Sequence, residues 1–524
     1  MGYIPPPQLA TPPRPSYAQA YAKILSHFRA TPLSSASSVI ILVAPDVDAL
    51  CAARMLGNLL TQDDVIHRII PVPGFDELED IKQEALNNTE LHTIIMFNLG
   101  GLLDLATQSW FGDAHPNLTV HVIDSSRPLH LGNLFLAEQV TVWDDGEAEH
   151  LQELRKSFEV ITFEPNYQSD DDDSEDEEYP EEDEGDDYSE RDVTSGKRRS
   201  LGDGDSKPVK RRRTSRDRVP KMTREEYIQH QERVNKYFLS GTSYGQSASG
   251  TIYILATVLE RVDNDLLWFA ILGLTHQYTT SRISRESYDT YQTIYHDEVS
   301  RLNPPPPNGA LASLNPDDTS VRASDELRFM LFRHWNLYDA MFHSSYVASK
   351  LGIWKERGRK RLTGLLAKMG FSILQTQQPY SHMDLDLKKD LLQKLNDVAP
   401  EYGLVELSYP SFARCNGYRS HPLSAADAVE GISALMDVAS GVKMEVEIEG
   451  ARNGGEWFGG DRIWECNAGR EVVRRRDEER QRAVQENRED VDRAGREDTE
   501  DVVSTREAQW WIKNFWIAFD ALNE

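Results

Sequence analysis

The chain is poor in cysteine, in long apolar runs and in positive charge. Its 524 residues include three cysteines, Cys51, Cys415 and Cys466, far apart in sequence. An odd and scattered set excludes a disulfide framework or a cysteine-built zinc site, and fits a reducing compartment. The longest strongly apolar stretch, Leu266–Leu274, is nine residues, too short for a membrane-spanning helix. Six prolines stand among the first 15 residues, with no apolar signal core, which argues against secretion. Lysine and arginine number 57 against 86 aspartates and glutamates, a formal net charge of −29.

That charge is unevenly placed. Residues 169–190 hold 15 acids and no base, about half of the whole excess. Such a run repels itself and has little to bury, so disorder is predicted there. Residues 197–221 then carry 11 basic residues against 3 acidic ones. Within them Lys197, Arg198 and Arg199 are separated by ten residues from Lys210, Arg211, Arg212 and Arg213. Two such clusters suit a bipartite nuclear-import signal; a flexible basic stretch that binds the acidic run or nucleic acid is the alternative.

A regular pattern begins at residue 39. Apolar strands are expected at Val39–Val43, Val65–Val72, His92–Phe97, Leu118–Ile123 and Gln139–Trp143. Helical spacing covers Ala49–Leu60 and Phe75–Asn87. Buried strands alternating with helices imply βαβ units and a parallel sheet, an α/β fold. Residues 1–16 read as a Pro-rich tail, a docking peptide or a solvated polyproline II segment. Helices are expected again at Arg224–Leu239, Ile252–Glu260 and Asp265–Gly273, and residues 324–440 read as all helical, including Asp325–Lys350. Residues 470–508 are too charged for a core. The strongly apolar stretch at residues 510–522 reads as a helix that needs a surface to cover, which suggests a chain cut short before a further domain.

In a parallel sheet, ligands bind beyond the carboxyl ends of the strands. Those ends here run into Asp46-Val-Asp48, Asn98-Leu-Gly-Gly101, Asp124-Ser125-Ser126 and Asp144-Asp145. Converging carboxylates suit divalent cations that activate water at a phosphate. A single such aspartate more often caps a helix; four strand ends in register favour an ancestral metal site.

The motifs resemble those of the DHH phosphoesterases, which include RecJ-type exonucleases. Asp46-Val-Asp48 is similar to their first motif. The aspartate of the second motif corresponds to Asn98, and the name-giving Asp-His-His to Asp124-Ser125-Ser126, followed by Pro128. Gln277 stands where a later family aspartate would be. These replacements remove the imidazole donors, so no efficient hydrolysis, no metal centre and no cofactor is expected, although Asp46, Asp48 and Asp124 could still hold one loosely bound ion. An active manganese- or magnesium-dependent phosphoesterase using Asp46, Asp48, Asp124 and Asp144 is the rival.

Longer segments resemble one family within that group, the cell division control protein 45 family. They include Ser38–Glu77, His121–Pro128, Leu267–Thr275, Phe332–Leu337, Lys368–Gly370 and Asn514–Leu522. The resemblance implies a non-catalytic, nuclear replication factor joined to the minichromosome maintenance helicase ring, the GINS complex and other initiation factors. It also implies a parallel-sheet DHH domain, an inserted all-helical domain and a truncated DHHA1-like part. The expected boundaries are 1–165 and 223–310 for the DHH-like domain, 166–222 for the disordered insertion, 320–445 for the helical domain, and 446–524 for the charged loop and start of the last domain. Within the helical region, Lys350, Lys355, Arg357, Arg359, Lys360, Arg361 and Lys368 face only Glu356 in sequence. They suit a solvated helix face, an acidic partner or single-stranded DNA, with Trp354 and Phe371 as stacking platforms or core residues.

Overall fold

A computed structural model describes residues 2–9, 15–30, 38–88, 90–107, 110, 118–163, 224–304, 318–417, 421–437 and 512–522. In chain order the first elements are β1 (Tyr3–Ile4), α1 (Tyr17–Ala30), β2 (Val39–Val43), α2 (Val47–Gln62), β3 (Arg68–Pro71) and α3 (Phe75–Asn87). There follow β4 (Thr93–Phe97), β5 (Thr119–Ile123), β6 (Ser126–Arg127), α4 (Leu131–Phe135) and β7 (Val140–Trp143). Next come α5 (Gln152–Phe163), α6 (Arg224–Phe238), β8 (Ser243–Tyr244), α7 (Ala248–Val258), α8 (Asn264–Thr279) and α9 (Arg285–Leu302). The later elements are β9 (Val321–Leu327), α10 (Leu337–His343), α11 (Ser345–Leu351), α12 (Glu356–Lys368), α13 (Ile373–Thr376) and α14 (Leu385–Val398). They are followed by β10 (Ser408–Arg414), β11 (Leu423–Ser424), α15 (Ala425–Asp437) and a helix at residues 512–521.

The chain divides into two compact units, Met1–Ala148 with Thr242–Glu524, and Glu149–Gly241. In the second, α5 and α6 pack on each other and His230 Nδ1 lies 2.9 Å from Ser157 Oγ. The acidic and basic runs read as an insertion at 166–222 lie outside the described residues.

A six-stranded parallel sheet, in the order β1-β7-β5-β4-β2-β3, organises the first unit. The α/β class read from the apolar strands is the one found. Every residue of β2 and β4 is buried, as expected of strands covered on both faces. Val43 pairs with Phe97 and Phe97 with Ile123, so β2, β4 and β5 end level and deliver their next residues to one place.

One edge of the sheet departs from expectation. The Pro-rich tail is not wholly solvated: Tyr3 and Ile4 are buried and pair parallel with Val142 and Trp143 of β7. The pairing stops at Pro5, since proline has no N–H to continue a ladder. Tyr17 of α1 covers this edge, stacking on Trp143 at 4.9 Å and donating to the Asp144 carbonyl at 2.6 Å.

Helices α2, α7 and α8 share one core with the sheet, through residues such as Leu56, Leu59, Ile252, Leu255, Leu267 and Ile271. Each such side chain stabilises the fold by about 1.5–3 kcal/mol relative to exposure. The close approach of these helices requires Gly273, where a Cβ would overlap Ser249 Oγ and Asp48 Oδ1. The terminal helix joins this core through Phe515, Ala518, Phe519 and Leu522. The side bearing these residues is covered within the chain, whereas Ile512 and Ile517 of the same helix are exposed, so part of the uncovered apolar surface expected from its composition is present.

The segment 324–440 is not all helical. β9 and β10 pair antiparallel from Val321↔Arg414 to Leu327↔Ser408, and β11 adds to β10. The helix expected at Asp325–Lys350 is instead the end of β9, then α10 and α11, each starting from its own cap, Asn336 and Ser344. Between β9 and β10, helices α10 to α14 enclose a separate core that includes Phe329, Phe332, Met341, Leu362, Leu365 and Leu395. No helix among the described residues is long and apolar enough to cross a membrane.

Candidate functional site

The level ends of β2, β4 and β5 place Asp46, Asn98 and Asp124 side by side. Asp46 is the N-cap of α2, and its Oδ1 accepts the Ala49 N–H at 2.7 Å. This is the capping role open to any aspartate before a helix. Two residues on, Asp48 is fully buried. Its Oδ2 accepts the Ala248 N–H at 2.8 Å, and its Oδ1 accepts Ser249 N–H at 3.0 Å and Ser249 Oγ–H at 2.6 Å. These donors come from the first turn of α7, where a helix offers unpaired N–H groups and favours negative charge.

Asn98 sits between the two aspartates. Its φ of +50° lies in the left-handed region that asparagine tolerates better than most residues. From there Nδ2 donates to both Asp46 oxygens at 3.2 Å and to Asp48 Oδ2 at 3.1 Å, while Oδ1 accepts the Ser125 N–H at 3.0 Å. Arg282 closes the other side of Asp46, with a 3.1 Å ion pair to Oδ2. Its guanidinium lies 5.1 Å from the Tyr244 ring centre. Burial, followed by repulsion from Asp46, raises the Asp48 pKa, and hydrogen bonds from Ser249 and Asn98 oppose the rise.

Asp124 accepts Gly101 N–H at 2.9 Å and Ser126 N–H at 2.8 Å. Its pKa is raised, chiefly by burial. Gly101 has to be glycine, because a Cβ would overlap that carboxylate. Ser125 is buried and Ser126 begins the short β6–β8 ladder. Asp144 gives both oxygens to a turn, accepting Gly146 N–H at 2.9 Å and Ala148 N–H at 3.2 Å. Burial and the neighbouring Asp145 push its pKa up to about 6. The structure thus assigns Asp144 to that turn, with no bond to the Asp46–Asp48 pair.

Several residues of this region were not singled out by the sequence reading. Arg127 binds Asp145 at 2.7 Å and Glu147 at 2.5 Å, and donates to the Asp124 carbonyl at 2.9 Å. Although burial opposes ionisation of Asp145, Arg127 and the Gln246 N–H hold its pKa below the usual value. Ser249, Arg282 and His276 were missed too. Gln277 is buried and donates to the Gly245 carbonyl at 3.3 Å. His276 is buried with no hydrogen-bond partner among the described residues, and burial lowers its pKa.

These residues do not fit a divalent-metal centre. Both Asp48 oxygens accept N–H or O–H groups, Asp46 lies between an amide and a guanidinium, and Ser125 and Ser126 offer no imidazole nitrogen. No cluster of three or more His, Cys, Asp or Glu suited to a metal occurs among the described residues. The Asn98 amide hydrogen-bonds both carboxylates and the Arg282 guanidinium offsets the charge of Asp46.

Of the basic residues near α12, Lys360 pairs with Glu356 at 2.8 Å and Lys368 with Glu401. Arg361 donates to the Tyr402 carbonyl at 2.8 Å and Arg359 to the Ile353 carbonyl at 3.3 Å. Lys355 and Arg357 stay exposed. The import candidates Lys197, Arg198, Arg199, Lys210, Arg211, Arg212 and Arg213 lie outside the described residues.

Residues 39–524 match the CDC45 family model. The chain belongs to the CDC45 family. Similar members include the cell division control protein 45 homolog of Schizosaccharomyces pombe, 37% identical over 82% of this chain and 66% of its own. The human homolog is 30% identical over 76% of this chain and 65% of its own. Protein TSD2 of Mycosarcoma maydis is 36% identical, covering 83% and 62%. The chain thus spans a little under two thirds of the length of these relatives. The crystal structure of CDC45 from Entamoeba histolytica shares the fold, with a TM-score of 0.54 and 22% identity over 80% of this chain and 63% of that one.

Proposed function

We propose that this chain is a non-catalytic DNA replication factor of the nucleus, built on a DHH-type sheet whose metal site has lapsed. It bridges the minichromosome maintenance helicase ring and the GINS complex, in the company of other initiation factors. The observation that carries the non-catalytic part is the Asn98 amide bonded to both Asp46 and Asp48, with Arg282 on the open side of Asp46. Phosphoester hydrolysis through a metal-activated water needs carboxylates free to bind cations, and here both carry internal donors. The replication role rests on the family and on the names of its members. The region between β9 and β10, with its own core, is the proposed partner-binding domain.

Two measurements test the reading. Incubation with labelled single-stranded DNA and Mn²⁺ is expected to give no product. Turnover that Asp48→Ala abolishes would overturn the non-catalytic assignment. Tagged protein purified from dividing cells is expected to bring down the ring and GINS, and failure to do so would overturn the bridging role.

A further inference from the structure

The corner between α11 and α12 is built to hold one aromatic side chain outward. Helix α11 ends at Gly352, whose φ of +69° is the left-handed conformation glycine adopts freely. Ile353 then turns inward and Trp354 turns outward, 3% and 66% exposed. Lys355 is the N-cap of α12, and the Lys355 N–H donates to the Gly352 carbonyl at 3.0 Å. Gly358 in the first turn of α12 packs against that same carbonyl so closely that a Cβ would overlap it. Arg359 Nε, donating to the Ile353 carbonyl at 3.3 Å, fastens the corner from the helix side. The backbone under Trp354 is therefore rigid.

The charges next to this indole in sequence are mostly positive. Lys350, Lys355 and Arg357 are exposed and form no ion pair among the described residues, and the nearest acid in sequence, Glu356, is held by Lys360. Phe371, the other aromatic beside these bases, is buried in the local core and offers no stacking face. An exposed indole on a fixed corner among unpaired cations matches what an unpaired nucleotide strand requires. A base stacks on the ring while neighbouring phosphates meet the cations. A duplex keeps its bases stacked on one another and cannot use the ring.

We propose that Trp354, with Lys350, Lys355 and Arg357, forms a contact site for single-stranded DNA. The choice of DNA over RNA rests on the replication role proposed above; the rest of the inference does not. With the full chain and a fluorescent oligothymidylate of about 20 nucleotides, anisotropy reads binding directly. Trp354→Ala is expected to weaken binding about tenfold without moving the thermal midpoint, since the side chain is exposed, and Trp354→Phe to recover part of it. Lys355→Ala/Arg357→Ala is expected to make the log–log salt dependence shallower by about 1.4, or about 0.7 per lost phosphate contact.

Binding unchanged in both variants overturns the site. Equal affinity for a duplex of the same length overturns the stacking role, and tighter binding of the matching RNA overturns the choice of DNA. Binding of a poly-glutamate peptide that depends on Trp354, with none of the oligothymidylate, reassigns the corner to an acidic protein and also overturns it. Because the chain is assayed alone, failure here is separate from failure to co-purify with the ring and GINS.

Discussion

Replacing Asn98 by aspartate tests whether its amide stands in for a cation. The new Oδ2 would occupy the place of Nδ2, now 3.1–3.2 Å from oxygens of both Asp46 and Asp48. Three donor contacts would become repulsive ones. At an effective dielectric of about 20 and a charge separation of about 4 Å, each like-charged pair is unfavourable by about 4 kcal/mol. Proton uptake by the crowded carboxylates limits the sum, so a net loss of about 3–5 kcal/mol at neutral pH is expected, similar to other buried groups stripped of a partner. The added charge reinforces the burial and the Asp46 repulsion that already raise the Asp48 pKa. The deficit should thus be small near pH 4, with the site protonated, and grow as pH rises through the raised values. Urea denaturation of both proteins at several pH values between 4 and 8 reads this directly. A variant as stable as its parent at pH 8, or a deficit independent of pH, would refute the role assigned to the amide.

Gly273→Ala should destabilise the first unit by about 1–3 kcal/mol through overlap with Ser249 Oγ and Asp48 Oδ1, outweighing the gain of about 1 kcal/mol from helix propensity; the double variant with Ser249→Ala should recover part of the loss in the same denaturation assay. Asp144, pushed up to about 6, should titrate near that pH in a carboxyl carbon NMR experiment. Its folded pKa is the higher one, so the stability it contributes is full below about pH 4 and declines as pH rises through about 6.

The sheet was legible because both faces of β2 and β4 are covered, so their apolar runs are nearly unbroken. β9 was not: Val321–Leu327 carries Arg, Ser, Asp and Glu, with only Val321, Glu326 and Leu327 buried. Glu326 is buried because Arg333 bonds it at 2.9 Å, a pairing that alternation of apolar and polar residues cannot reveal. β1 was hidden among prolines. In the site, the aspartates and Asn98 could be read from strand ends. Ser249 and Arg282 could not, because they meet Asp48 and Asp46 from 201 and 236 residues away. The unusual positive φ of Asn98 likewise leaves no mark in the sequence. For the terminal helix, composition shows that apolar residues need cover, without showing that Phe515, Ala518, Phe519 and Leu522 find it within this chain while Ile512 and Ile517 do not.

The bonds from Asp48 to Ala248 and Ser249 join chain segments on either side of residues 149–241. The β6–β8 ladder and the 2.9 Å bond from Gln246 N–H to Asp145 do the same. The two ends of that excursion are thus tied within the first unit itself. Loop-closure entropy grows only with the logarithm of length, about 0.6 kcal/mol for each doubling. A change in the length of this stretch therefore costs the sheet little, because the bonds that hold its two ends belong to the sheet's own unit.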